Sequence, residues 1–171
     1  MRENSLEEEV ASLLLSVKKT IAVAESCTGG LICHRLTNVS GSSDYLEMGV
    51  VTYSNQSKIK LLAVPKEIIQ EHGAVSAPCV CAMAMGVKQL AGTDLGLGVS
   101  GIAGPTGGSV DKPVGTVHMA LAWDEEVTCW KFVFQGSRRE IKDQASQEGL
   151  MRIRDHLIEQ LSGQPRIHSA T

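Results

Sequence analysis

The stretch Thr20-Ile21-Ala22-Val23-Ala24-Glu25-Ser26-Cys27-Thr28-Gly29-Gly30-Leu31-Ile32 decides the fold. A short apolar run ends in a Gly-containing turn, after which Leu31, Ile32, Arg35 and Leu36 resume helical spacing. This is strand, turn, helix. Such a junction sets a helix N-terminus, with its unpaired backbone N–H groups, at the carboxyl end of a strand, where open α/β sheets bind ligands.

The flanking sequence extends that pattern. Upstream, Leu6, Val10, Leu13, Leu14 and Val17 predict an amphipathic helix over residues 4–18, with acidic residues in the first turn where the dipole favours them. Downstream, residues 38–44 read as a loop and Met48 to Tyr53 as a second strand. Ser54 caps a short helix through Leu62, Pro65 opens another ending near Gly73, and Ser76 starts a longer one. The buried face of that longer helix is expected to be Val80, Met83, Ala84, Val87, Leu90 and Ala91. Residues 94–100 form a Gly-rich strand, and two strands at 115–123 and 127–134 make an antiparallel hairpin across Asp124-Glu125-Glu126. Ser137 with Glu140 is a capping-box pattern, opening a last helix with Ile141, Ala145, Ile153, Leu157 and Leu161 as its apolar stripe. The expected fold class is α/β, a single domain over residues 1–162 with a mixed β-sheet flanked by helices, followed by a flexible tail over 163–171.

Composition narrows the function classes. With 171 residues, 43% hydrophobic and 20% charged, the chain can bury a core and is neither disordered nor fibrous. Aromatics are only 4%, too few to stack bases along a single strand. The net charge of −3 lies in the first nine residues, which hold one Arg and four Glu. A neutral body lacks the basic field that drives binding to nucleic acid or anionic membranes, so no nucleic-acid and no membrane partner is expected. No apolar leader and no run of about 18 apolar residues is present, which predicts a cytoplasmic protein. The five cysteines include no C-x-x-C pair and the five histidines no paired metal-ligand spacing, so free thiols, no metal site and no cofactor are expected.

Several residues are placed to carry chemistry. Ser26 precedes a helix N-terminus, where backbone donors can stabilise an oxyanion on whatever the hydroxyl attacks; Ser is equally a preferred helix cap. Cys27 offers a thiol that a helix N-terminus can make reactive, or a plain buried cysteine. Tyr53 at a strand end and Lys58 one turn into the next helix could converge on a pocket, or could be packing and a solvated face. The Gly104, Thr106, Gly107 and Gly108 loop concentrates small residues whose backbone can approach a phosphate. Arg138 at a helix N-terminus gains nothing from the dipole there, which leaves it free to bind a phosphate or carboxylate.

Taken together, three ordered segments resemble the CinA carboxy-terminal domain family, the nicotinamide-nucleotide amidohydrolases. They are residues 24–30 (AESCTGG), residues 49–55 (GVVTYSN) with Lys58, and residues 101–108 (GIAGPTGG) with residues 112–117 (KPVGTV). The resemblance runs from about residue 5 to 160. It implies hydrolysis of the carboxamide of nicotinamide mononucleotide to nicotinate mononucleotide and ammonia, by a Ser-Lys-Tyr mechanism that falls on Ser26, Lys58 and Tyr53. Thr28, Gly29, Gly30, the Gly104 to Gly108 loop and Arg138 are then expected to bind the nucleotide substrate, and a homo-oligomer is expected to complete the site. Longer members carry an amino-terminal nucleotide pyrophosphatase-like domain, for which 171 residues leave no room.

Two positions depart from the family pattern. Ser137 stands where the family usually has Asp, and Lys142 where it usually has Arg. Ser can replace Asp as a cap, but a carboxylate that could orient Arg138 is lost. The alternative reading is therefore a catalytically weak or inactive nucleotide-binding or interaction module of the same family.

Overall fold

The structure is a computed structural model and describes residues 5–163; the tail expected over 163–171 lies, from residue 164 on, outside the described residues. Helix α1 (Leu6–Val17) opens with a capping box in which Ser5 and Glu8 satisfy each other's backbone amides, and buries Val10, Ala11 and Leu14. Strand β1 (Ile21–Glu25) follows, buried at every position. It leads through the Gly29-Gly30 turn into α2 (Leu31–Thr37), and a 3-10 turn at Ser42–Asp44 precedes β2 (Leu46–Val51). Three helices come next, α3 (Asn55–Leu62), α4 (Lys66–His72) and α5 (Ala77–Ala91), and then β3 (Leu95–Gly101), β4 (Thr116–Trp123), β5 (Glu126–Val133) and α6 (Arg138–Ser162).

The five strands form one sheet in the order β2-β1-β3-β4-β5. β1 runs parallel to β2 and β3, while β3, β4 and β5 are antiparallel neighbours. The sheet is mixed, as the sequence predicts. Each face packs its own core. On one side Ile21, Val23, Leu97, Val99, Met119 and Leu121 meet α1, α2 and α6. On the other, Ala22, Ala24, Ala120 and Ala122 meet the α5 residues Val80, Met83, Ala84 and Val87. Small residues line this second side for a steric reason. A Cβ at Gly96 would lie 2.2 Å from the Ala84 carbonyl oxygen, and one at Gly98 would lie 2.6 Å from that of Val80, so α5 rests directly on the β3 backbone. Two expected core positions differ: Leu90 and Leu161, in the last turns of α5 and α6, are 48% and 57% exposed.

The β1–α2 junction depends on a residue to which the sequence assigned no role. Glu25 is fully buried, and its carboxylate accepts from the N–H groups of Gly30 at 3.0 Å, Ile32 at 3.1 Å and Cys33 at 2.9 Å. Gly30, the N-cap, has no side chain, so the preceding strand supplies the anion that the helix N-terminus needs. Gly29 and Gly30 both have positive φ, at 64° and 96°, which lets the chain fold back over this carboxylate.

Glu25→Gln keeps the shape of the side chain, removes the charge and turns a donor toward backbone donors. The expected outcome is a loss of roughly 2–4 kcal/mol in unfolding free energy, seen as a lower urea midpoint at unchanged slope. A midpoint equal to that of the wild type would show that the three contacts do not hold the junction.

Candidate active site

The ladder between β1 and β3 continues one residue beyond β1, where the Ser26 N–H donates to the Val99 carbonyl at 3.0 Å. Alternation along the strand places Glu25 on the α2 side and Ser26 on the α5 side. Here β1 and β3 end side by side and their onward connections diverge, the place where an open sheet leaves a crevice. β2 ends at Val51 next to β1, the chain turns through Thr52 and Tyr53, and Ser54 caps α3 by accepting from the Ser57 N–H at 3.1 Å. That cap aims the first turn of α3 back at the end of β1.

Lys58 lies in this first turn and is 1% exposed. Its Nζ is 3.1 Å from Ser26 Oγ and donates to the carbonyl oxygens of Thr52 at 2.7 Å and Tyr53 at 3.4 Å. Among the described residues no carboxylate pairs with it. Burial therefore dominates and holds the Lys58 pKa below its ordinary value of 10.5. A cation in the first turn of a helix also meets the positive end of the helix dipole. Two carbonyls and one hydroxyl suit either protonation state. As an ammonium, Nζ donates to all three; as an amine, its two N–H groups face the carbonyls and its lone pair faces the Ser26 hydroxyl.

Ser26, Cys27, Tyr53, Asn55, Lys58, Ala74, Val75, Ser100, Gly101, Ala103 and Arg138 enclose a cavity of about 220 Å³. Arg138, the first residue of α6, reaches across it to donate through Nη1 to the Gly104 carbonyl at 2.7 Å and through Nη2 to the Tyr53 hydroxyl at 2.9 Å. Ser137 makes the expected capping box with Glu140, so Ser in place of Asp leaves the helix start intact. Among the described residues no carboxylate pairs with Arg138, which is oriented by Gly104 and Tyr53. A larger depression of about 610 Å³ between α2 and α6 is lined by Arg35, Asp143 and Glu148 among others and contains none of these groups.

The structure gathers some of the expected site residues and not others. Ser26, Tyr53, Lys58 and Arg138 share one cavity, which Cys27 also lines. Ser26 is not a helix cap, since Gly30 holds that position and Glu25 takes the amides. Cys27 is not an activated thiol: burial pushes its pKa up to about 12. Thr28, Gly29 and Gly30 are not in the cavity wall; Thr28 is buried with its hydroxyl unpaired among the described residues, and the Gly30 N–H already serves Glu25. Gly104 contributes a carbonyl to Arg138, whereas Thr106, Gly107 and Gly108 are exposed outside the lining. The glycines of this loop have a packing reason too. A Cβ at Gly104 or Gly108 would come within 2.5 Å and 2.8 Å of Val114, where the loop folds back on itself. Ser100, Ala74 and Val75 also line the cavity, although no sequence signal singled them out.

Comparison with known proteins agrees with this architecture. The family model described as the CinA C-terminal domain matches residues 3–157. A CinA-like protein of Syntrophus aciditrophicus is 54% identical over 156 residues, which are 91% of this chain and 37% of that protein. A putative competence-damage inducible protein of Moorella thermoacetica is 48% identical over 148 residues, 86% of this chain and 36% of that protein. The chain thus spans a little over a third of the length of these relatives. Among solved structures, a competence-damaged protein (CinA) superfamily protein from Klebsiella pneumoniae superposes with a TM-score of 0.87 at 32% identity, covering 90% of this chain and 96% of that one. The competence/damage inducible protein CihA from Agrobacterium tumefaciens gives 0.78 at 33% identity, covering 95% and 97%. With the mixed sheet and its two helical faces matched over nine-tenths of its length, this chain belongs to the CinA C-terminal domain family.

Proposed function

We propose that this domain hydrolyses the carboxamide of nicotinamide mononucleotide, releasing nicotinate mononucleotide and ammonia. The observation that carries the reading is the buried Lys58 amine 3.1 Å from Ser26 Oγ, its other two hydrogen-bonding directions taken by the Thr52 and Tyr53 carbonyls. A lysine held in this way has one direction left for a proton, and it is that of the serine.

The steps use groups of this chain. Ser26 Oγ attacks the carboxamide carbon as its proton passes to Lys58 Nζ, forming the C–O bond. The tetrahedral adduct collapses, the C–N bond breaks, and the nitrogen leaves as ammonia with a proton delivered by Lys58 or through the Tyr53 hydroxyl. Water then attacks the Ser26 ester, again losing its proton to Lys58, and the C–O bond to Ser26 breaks with return of the serine proton. Arg138 holds the Tyr53 hydroxyl and, having more N–H groups than its two bonds use, offers the remainder to the substrate phosphate. That all four side chains line one cavity supports the reading.

Ammonia release from nicotinamide mononucleotide tests it. Ser26→Ala is expected to release none, while Cys27→Ala retains activity. Binding of the mononucleotide without turnover by the wild-type chain would instead favour the inactive nucleotide-binding module.

The pH dependence follows from Lys58. Its amine form is the active one, so kcat/KM is expected to rise with pH through a value below 10.5, and Lys58→Arg, which keeps its proton, is inactive throughout. The same displacement bears on stability. With the folded pKa below the unfolded one, the unfolded chain binds more protons between the two values. Stability therefore rises with pH across that window, and the penalty of burying the charge is fully present below it. Lys58→Met is expected to flatten this slope, measured by urea unfolding at a series of pH values; an unchanged slope would place the titration elsewhere.

Arg138→Ala is expected to lower kcat/KM for the mononucleotide by about 10- to 150-fold, the worth of roughly 1.5–3 kcal/mol of charge-assisted hydrogen bonding. Nicotinamide riboside, which lacks the phosphate, is expected to lose less. Equal losses for the two substrates would leave Arg138 with Tyr53 alone and not with the phosphate.

A further inference from the structure

Ser26 has a different neighbour on each side. The sheet order places β1 between β2 and β3. Tyr53 and Lys58 come from the turn and helix that follow β2, so the base and the phenol hydroxyl approach Ser26 from the β2 side. On the β3 side stands Ser100. Glu25 pairs with Val99 and the Ser26 N–H donates to the Val99 carbonyl, which continues the parallel register by one step and sets Ser26 level with Ser100. Level residues in neighbouring strands share a face and lie about 4.8 Å apart. Both serines line the cavity with Lys58. Ser100 is 1% exposed, and its hydroxyl makes no hydrogen bond among the described residues. Buried polar groups are nearly always paired, so an unpaired hydroxyl in the wall beside the nucleophile is a donor left for a ligand.

Hydrolysis at Ser26 needs such a donor. As Ser26 Oγ bonds to the carboxamide carbon, the C=O electron pair moves onto the oxygen, and that charge must be stabilised. A helix N-terminus beside the nucleophile is one source of donors, but here its amides are occupied. The N–H groups of Gly30, Ile32 and Cys33 serve Glu25, that of Gly29 donates to the Ser26 carbonyl at 3.1 Å, and that of Leu31 to the Thr28 carbonyl at 3.4 Å. The directions around the adduct carbon then assign the oxygen. The nitrogen faces Lys58 and Tyr53, which deliver its proton, on the β2 side. The ring carries the ribose phosphate and points to the open side, where Arg138 is exposed. The direction that remains runs toward β3 and Ser100.

We propose that Ser100 is a catalytic residue of this site, its hydroxyl donating to the oxyanion of both tetrahedral adducts. The inference rests on the amidohydrolase reading and supplies the oxyanion donor of that mechanism. Ser100 keeps its proton throughout. Its O–H donates as charge builds on the oxygen, and the electron pair returns to the C=O bond when the C–N bond breaks. The same contact forms again when water adds to the Ser26 ester, and is released when the C–O bond to Ser26 breaks. A hydrogen bond to an oxyanion is stronger than one to a neutral carbonyl, so the contact favours the adducts over bound substrate. It acts on the oxygen and leaves the Lys58 proton alone.

Ammonia release from nicotinamide mononucleotide, measured over a range of substrate concentrations and pH, provides the test. In Ser100→Ala, kcat is expected to fall by about 100-fold or more with KM little changed, and the rise of rate with pH stays at its wild-type position. Ser100→Thr and Ser100→Val add the same bulk and differ in a hydroxyl against a methyl, so kcat of the Thr variant is expected to exceed that of the Val variant by about 100-fold or more. Where neither larger side chain fits, Ser100→Ala, which only removes an atom, decides. Wild-type kcat in Ser100→Ala, equal and measurable kcat in the Thr and Val variants, a loss confined to KM, or a shifted pH profile each overturns the inference and leaves the amidohydrolase reading standing. Wild-type protein that releases no ammonia overturns that reading and this inference with it.

Discussion

A buried carboxylate at the end of the central strand holds the rest of the site in place. Among the described residues no cation pairs with Glu25; three backbone N–H groups of the following turn and helix compensate its charge. Burying an isolated carboxylate is unfavourable by several kcal/mol, and burying a helix N-terminus without an acceptor is also unfavourable, so each removes the other's penalty. The consequence for chemistry is one of direction. The amides of α2 are taken by their own chain and are not available to a substrate on that side of the turn. Alternation along β1 then puts Ser26, one residue on, on the opposite face of the sheet, where α3 and α5 meet it.

On that face the decisive contest is over one proton. The Thr52 and Tyr53 carbonyls favour an ammonium on Lys58, while burial and the start of α3 oppose it. Burial prevails. The carbonyls come from the turn after β2, an edge strand, and the hydroxyl from the end of β1, a central one, so the geometry of this base depends on the parallel register between the two strands. The same turn carries Tyr53, 60% exposed, whose hydroxyl is tied to α6 through Arg138. Strand order, edge turn and last helix thereby converge on about 220 Å³.

The close seating of α5 explains why this face can be polar at one end and dry at the other. Gly96 and Gly98 let the helix touch β3, and Ala120 and Ala122 continue the flat surface onto β4. One row further toward the strand ends the small residues give way to Ser26 and Ser100, which share the cavity wall with Ala74 and Val75 of the turn before α5. An apolar, tightly packed floor lies beneath the site, and the low dielectric there strengthens the burial effect on Lys58.

The sequence by itself determined what local physics can determine. The apolar run into Gly29-Gly30, the Ser54 and Ser76 caps and the Ser137–Glu140 capping box each use contacts within a few residues, and the elements they open stand where they were expected. Residues 24–30, 49–55 and 101–108 likewise sufficed to name the family, because motifs carry their spacing in the chain itself. The tertiary structure alone decided which polar groups face each other. Ser26 and Lys58 are 32 positions apart and Tyr53 and Arg138 are 85 apart, separations that neither propensity nor periodicity can bridge. Glu25 looked like one more strand-end carboxylate until the turn folded its helix amides onto it, and Cys27, open to a reactive and a plain buried reading, is decided for the second by its packing. Ser100 gave no signal at all, since it joins Ser26 in the cavity wall only when the parallel register between β1 and β3 sets the two level.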